Sequence, residues 1–331
     1  MRKTTIAAGG VAVLLGALSL GGCASPTSPS GDATVAYPEP GKTITMIIPF
    51  GAGGGTDIGA RMLGDDLGRI LDTTVVPENV PGASGQIGLT ELVSSAPDGY
   101  TISWGNAPIT SPIYLDPSRG ATFGPDDLVQ VANYVFDPSD IIVAADSPYE
   151  NLTDLVDAAK AQPGKITLSS SAVLSPSDFA IKALEKAAGV DFNVVYFDDP
   201  GQQRAATLGG QVAGEVSAVS ESAGAIQSGE VKAISVFDSQ PSKFLPGVPT
   251  AQSEGFDVEF GSSRIIVVPK GTPDEIVNTL SAAIKKAIEE EDAAGKFDQF
   301  YLAPRYMDPA ETKAYAQQVD EEVKAFLADS Q

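Results

Sequence analysis

From Lys42 onward, short runs rich in β-branched residues alternate with amphipathic stretches, and this alternation limits the fold more than any other feature of the chain. Strand-length runs fall at 43–48, 100–104, 141–144, 166–169, 193–197, 232–236 and 264–268, with helical patterns between them. A strand followed by a helix returns the chain to its sheet in the same direction, so the pattern predicts an α/β fold with mainly parallel sheets. One helix, from Thr56, places Ile58, Met62, Leu63, Leu67, Ile70 and Leu71 on a single stripe. Thr272-Pro273-Asp274-Glu275 predicts another that opens on a capping box, with Thr272 at the cap, Pro273 at the first helical position and Glu275 at the third, and Asp308-Pro309-Ala310-Glu311 repeats the signature. No repeat period is present. At 331 residues two domains are expected, yet no Gly/Ser linker divides the folded part. Two such domains must then be joined by crossing strands, which is how a hinged cleft is built.

Composition removes whole classes of chemistry. The chain has no histidine and one cysteine, which excludes Ser-His-Asp and Cys-His nucleophile systems, imidazole and thiolate metal sites, and an internal disulfide. No catalytic residue, metal or cofactor is therefore expected. With 43 acidic against 21 basic residues the net charge is −22, and such a surface repels nucleic acid phosphates. The single cysteine sits at the end of a leader: Arg2 and Lys3 precede an uncharged apolar stretch at 6–20, then Gly21, Gly22 and Cys23. As a helix that stretch rises about 22 Å, short of the roughly 30 Å hydrocarbon core, so it reads as a signal peptide spanning 1–22. Leu20-Gly21-Gly22-Cys23 resembles a bacterial lipobox, which predicts a lipid-anchored protein on the outer face of a cell membrane. Residues 24–36 hold little besides Ser, Pro, Thr, Ala and Gly, and the tether is set at 23–41.

The most informative motif is Pro49-Phe50-Gly51-Ala52-Gly53-Gly54-Gly55-Thr56-Asp57, between an apolar strand and an amphipathic helix. Glycines allow close backbone approach, and free amides at a helix start favour an anion such as a carboxylate or a phosphate. The dinucleotide pattern fails because Thr56 stands where its third glycine belongs, and no Gly-Lys-Ser/Thr follows for a phosphate loop. Asp57 has two readings: it complements the helix dipole, or it accepts a hydrogen bond from a ligand.

This run, followed by Glu78-Asn79-Val80-Pro81-Gly82-Ala83-Ser84-Gly85-Gln86-Ile87-Gly88 and Ala96-Pro97-Asp98-Gly99-Tyr100, resembles the substrate-binding proteins of the tripartite tricarboxylate transporters, the Bug family. The similarity continues through Ser175-Pro176-Ser177, Leu208-Gly209-Gly210-Gln211-Val212, Leu245-Pro246-Gly247-Val248-Pro249-Thr250 and Pro269-Lys270-Gly271-Thr272-Pro273. The resemblance implies a two-lobe periplasmic-binding-protein (Venus-flytrap) fold with the ligand cleft between the lobes. It implies lobe one at 42–141 plus 265–331, lobe two at 142–264, and crossings near 141–144 and 261–266. The implied function is a monomeric receptor, not an enzyme, that captures a small organic acid and delivers it to a membrane permease. Alternatives are a receptor reporting to a membrane sensor and an enzyme built on carboxylates alone. Carried over position by position, the ligand-binding candidates are Phe50, Ala52, Gly53, Gly54, Gly55, Thr56, Asp57 and Asn106 from lobe one. From lobe two they are Ser170, Ser171, Ser175, Asp198 and Gln202.

The chain departs from the family in its second lobe, where Phe197-Asp198-Asp199-Pro200-Gly201 replaces a lysine-bearing loop and Asp178 enters the serine loop. No Lys or Arg lies in the loops assigned to the cleft, so at most two ligand carboxylates are expected, with room for an amine or several hydroxyls. A third carboxylate needs a metal ion or an arginine brought in by folding, Arg204 or Arg264. If Asp178, Asp198 and Asp199 point to solvent instead, they say little about the ligand.

Overall fold

The computed structural model describes residues 37–53, 55–197, 199–290 and 293–329. The signal peptide, Cys23 and most of the expected tether lie outside them. Tyr37, ahead of Lys42, is already tied to the body: its hydroxyl donates to the Gly99 carbonyl at 2.6 Å and its ring tilts against Tyr100.

In chain order the first half runs β1 (Thr43–Ile48), α1 (Gly55–Ile70), β2 (Thr74–Asn79), α2 (Gln86–Ser94), β3 (Thr101–Ala107), α3 (Ser111–Leu115), β4 (Leu128–Ala144), α4 (Leu152–Ala161), β5 (Thr167–Ser170) and α5 (Pro176–Ala188). It continues β6 (Asn193–Tyr196), α6 (Pro200–Leu208), β7 (Gly214–Ala218), α7 (Val219–Ser228), β8 (Val231–Val236), β9 (Gly261–Pro269), α8 (Asp274–Glu289), α9 (Ala293–Asp298), β10 (Ala303–Met307) and α10 (Pro309–Asp329). The β2-β1-β3 and β6-β5-β7 groups are parallel, as the alternation predicts. Every pairing of β4 and β9 is antiparallel, so the sheets are mixed where the chain crosses.

The crossing itself is one 17-residue strand, β4. Its first part pairs β9 from Leu128↔Pro269 to Pro138↔Gly261, and its second part pairs β7 from Ser139↔Ala218 and also β8. Pro138 has no amide to donate, so the ladder has a gap at the residue where β4 changes partners. Only glycine fits opposite it, because a Cβ at Gly261 would lie 2.4 Å from the Asp137 carbonyl oxygen. The return crossing is at Phe260, whose amide bonds Phe237 while its carbonyl accepts from Ser139. Residues 141–144 thus lie wholly in the second sheet and 261–266 wholly in the first.

Helices cover both sheets, and α10 packs against α5 through Phe326 stacked on Phe179. Ile44, Met46 and Ile48 of β1 pack with Leu63 and Leu67 of α1, Trp104 of β3 and Leu280 and Ile284 of α8, all fully buried. A second cluster joins Ile141 and Val143 to Leu155, Leu168, Phe179 and Ile181. Full burial of one such side chain is worth about 1.5–3 kcal/mol, and this packing holds the strand ends in place. The Asp308 box forms as expected, with Asp308 Oδ1 accepting from the Ala310 and Glu311 amides and Glu311 accepting from the Asp308 amide. The Thr272 box does not form. Pro273 is the cap of α8, and the Thr272 hydroxyl donates instead to the Pro269 carbonyl at 2.8 Å, tying down the turn after β9.

Candidate functional site

The glycine loop after β1 is braced from inside. Gly53 takes φ +86°, a left-handed conformation that suits glycine, and this turns its amide onto Asp57 Oδ2 at 2.9 Å. Asn79 Nδ2 donates to Asp57 Oδ1 at 2.9 Å and to the Phe50 carbonyl at 3.1 Å, and Arg61 approaches Asp57 Oδ1 at 3.0 Å. Burial pushes the Asp57 carboxyl up, but the hydrogen bonds from Arg61, Gly53 and Asn79 and the Arg61 charge outweigh it and hold it at about 2. Asp57 does stand in the first turn of α1, as the dipole reading has it, but its contacts brace the loop, a role that neither sequence reading named.

Between the two sheets lies a polar cavity of about 580 Å³, within the range of about 300–1,000 Å³ usual for small-molecule sites. Thr56 at the start of α1 and Asn106 at the end of β3 line one side. Ser171, Ser177, Gln203, Ser217, Ser220 and Glu221 line the other, and Phe300 and Tyr301 stand on its wall too. Asp137 and Ser139 of β4 and Ser262 and Arg264 of β9 also line it, so the crossing strands contribute side chains directly. This is the place where ligands of open α/β sheets sit, at strand ends beside helix starts.

Of the residues expected from sequence, Thr56, Asn106 and Ser171 line this cavity. Gly55 opens α1 beside Thr56. Phe50, Ala52 and Gly53 belong to the braced loop and are not part of the lining. Ser170 and Ser175 stand one step behind it: their hydroxyls lie 2.8 and 3.0 Å from Ser177 Oγ, which also meets the Ser171 amide and hydroxyl. Gln202 is exposed, and its neighbour Gln203 faces the cavity. Gly54 and Asp198 lie outside the described residues. Asp178 is fully buried, holding the Leu174 amide, Lys182 and the Tyr196 hydroxyl. Asp199 is exposed and caps α6 through the Gln202 amide.

Among the groups that sequence reasoning missed are Asp137, Ser139 and Ser262 of the crossing strands and Ser217, Ser220 and Glu221 at the β7–α7 junction, and they are joined by Arg264, named from sequence only as an arginine that folding could bring in. Arg264 is only 7% exposed; Nη2 is 3.4 Å from Asp137 Oδ2, while Nε and Nη1 have no hydrogen-bond partner. Asp137 accepts from the Ser220 amide at 3.1 Å and hydroxyl at 2.5 Å, and burial pushes its carboxyl up against the opposing Arg264 charge. Arg204, the other arginine considered, is held bidentate by Glu215 at 2.9 and 3.1 Å, away from the lining. Among the described residues no group of three or more His, Cys, Asp or Glu side chains is arranged to hold a metal.

Two α/β lobes joined by crossing strands around a polar cleft define a periplasmic solute-binding protein. The chain belongs to the tripartite tricarboxylate transporter family receptors (TctC), whose family model matches residues 59–329. It is 30% identical to the UPF0065 protein in gbd 5'region of Cupriavidus necator, over 98% of this chain and 97% of that one. It is 29% identical to protein BugT of Bordetella pertussis, over 83% of this chain and 85% of BugT. Among solved structures, a TctC solute-binding protein from Polaromonas is similar with a TM-score of 0.78 at 27% identity, covering 88% of this chain and 99% of that one. MatC from Rhodopseudomonas palustris, solved with bound malate, gives a TM-score of 0.66 at 25% identity over 87% and 98% of the two chains. The protein is thus an extracytoplasmic solute-binding receptor and not an enzyme.

Proposed function

We propose that this receptor captures a small organic acid in the cleft between its lobes and delivers it to a tripartite tricarboxylate-type permease, from a lipid anchor at Cys23. The observation that carries the reading is the buried guanidinium of Arg264 on the cleft lining, with Nε and Nη1 uncommitted. An unpaired buried N–H costs about 1–3 kcal/mol, and a carboxylate recovers that while matching the fork geometry. The malate held by MatC supports the same ligand class. Thr56, Asn106 and Ser171 complete the proposed site with Arg264, and the braced glycine loop sets the start of α1. The lobes expected at 42–141 plus 265–331 and at 142–264 are proposed with their boundaries at Pro138/Ser139 and Phe260/Gly261, which the partner change of β4 and the return crossing support. The leader sequence alone supports the anchor: Cys23→Ser should release the protein from membranes, and retention there would overturn it.

A thermal-shift screen of organic acids tests the ligand class, followed by uptake of any stabilising acid in cells with and without the receptor. Stabilisation by a carboxylate and loss of its uptake are expected. Stabilisation only by sugars or metal ions contradicts the reading.

A further inference from the structure

Among the described residues, the charged groups on the cleft lining are Asp137, Glu221 and Arg264, two carboxylates against one guanidinium. The start of α7 faces this cleft, and the amides of a helix start favour negative charge. Here the protein's own carboxylates take the Ser220 amide in the first turn and the Ala218 amide just before it. Glu221 accepts from the Ala218 amide, and Asp137 accepts from the Ser220 amide and hydroxyl. At α5, Asp178 takes the amide of Leu174 ahead of the helix, and the Ser175 hydroxyl caps the helix by accepting from the Asp178 amide. On this side the cleft therefore presents the carboxylates of Asp137 and Glu221 and the hydroxyls of Ser217 and Ser220, oxygens that can accept hydrogen bonds from a cation.

The opposite side has the reverse character. Arg264 engages Asp137 only through Nη2 at a long 3.4 Å, and its Nε and Nη1 edge is unpartnered. Nη1 also lies beside Gly59 of α1, 3.6 Å from where a Cβ would stand, close to the positive end of that helix. The guanidinium is more than nine-tenths buried and forms part of the cleft lining.

Building on the carboxylate reading above, we propose that the ligand is zwitterionic: an aminocarboxylate whose carboxylate docks on the free edge of Arg264 and whose ammonium docks on Glu221, with the Ser217 and Ser220 hydroxyls beside it. A dicarboxylate of the same length sets its second carboxylate against Glu221 and Asp137, with Arg264 already engaged. Like charges in a confined polar site repel, so the cleft discriminates by the sign of the ligand's far end.

Calorimetric titration of the full folded chain with chain-matched probes tests this: butyrate, succinate and 4-aminobutyrate, then the five- and six-carbon homologues of each. The expected result is that an aminocarboxylate binds at least tenfold tighter than the dicarboxylate and the monocarboxylate of its length. Glu221→Gln is expected to lose at least tenfold for that aminocarboxylate and to leave the dicarboxylate unchanged or tighter. Equal or tighter dicarboxylate binding, or an aminocarboxylate affinity insensitive to Glu221→Gln, overturns the zwitterion and leaves the carboxylate receptor standing. Arg264→Gln, with Arg264→Lys as the charge-keeping variant if glutamine fails to fold, is expected to weaken every carboxylate. No binding by any probe, or no effect of either Arg264 variant, overturns the carboxylate reading and the zwitterion with it.

Discussion

At the scale of single residues, the division between bracing and binding groups is set by which hydrogen bonds are already satisfied. Asp57 has both oxygens committed to Gly53, Asn79 and Arg61, so Asp57→Asn should cost about 1–3 kcal/mol of stability near neutral pH. Its folded carboxyl sits near 2, below the ordinary value of about 3.9, so this contribution is complete above the ordinary value and is lost as pH falls through 2. Denaturant unfolding of wild type and variant at pH 7 and pH 3 checks it: a difference that does not shrink on acidification contradicts the brace. The importance of the Asp57 position was legible from the helix start. Its partner Asn79 was quoted only as part of a family motif, because nothing local ties residue 79 to residue 57. Arg264 was named as one of two arginines able to fold in, yet only the register of β9 on β4, Arg264 opposite Val135, decides between it and Arg204.

At the scale of elements, the strand that joins the lobes is also the one the sequence hides. The run 141–144 is visible, but Asp137-Pro138 in the middle of β4 reads as a break, since proline interrupts a ladder. The structure uses that break as the place where partners change. β7 was missed for a related reason: Gly214-Glu215-Val216-Ser217-Ala218 looks too polar for a buried strand, until Arg204 on α6 is seen to satisfy Glu215. Beyond the crossing point Asp140 is fully buried, with its carboxylate held by the Ser217 hydroxyl at 2.9 Å and by the Ser222 hydroxyl. Burial pushes it up to about 7, opposed by the two serines and aided by Glu215 and Asp137. Between about 4 and 7 the folded chain then holds a proton that the unfolded chain releases, so stability should fall as pH rises through that window and level off above it. Asp140→Asn should flatten this slope in denaturant titrations at pH 5, 6, 7 and 8. A slope identical to wild type would remove Asp140 from the account.

At the scale of the whole molecule, the receptor architecture was the most legible property and the conformational coupling the least. Strand–helix alternation and three ordered motifs were enough for two lobes and a cleft. The segment at 298–301, next to the first sheet, reaches across to the second lobe: the Tyr301 hydroxyl donates to Gln227 at 3.2 Å, its ring meets Phe244 edge-on, and Asp298 pairs with Lys243. Tyr301 holds φ +51°, a left-handed conformation that disfavours a side-chain-bearing residue, so the contact offsets local strain. Opening the cleft requires this bridge to part. Tyr301→Ala should enlarge the radius of gyration of the unliganded protein in small-angle scattering and widen the contraction on ligand addition; an unchanged radius contradicts a hinged cleft. The central claim is that a ligand carboxylate is what the cleft recognises. Calorimetry with each organic acid and its own primary amide, equal in size and differing in that one group, tests it most directly. Saturable one-to-one binding of at least one acid, without turnover, and at least tenfold weaker binding of its amide are expected; equal affinity for acid and amide would contradict carboxylate recognition.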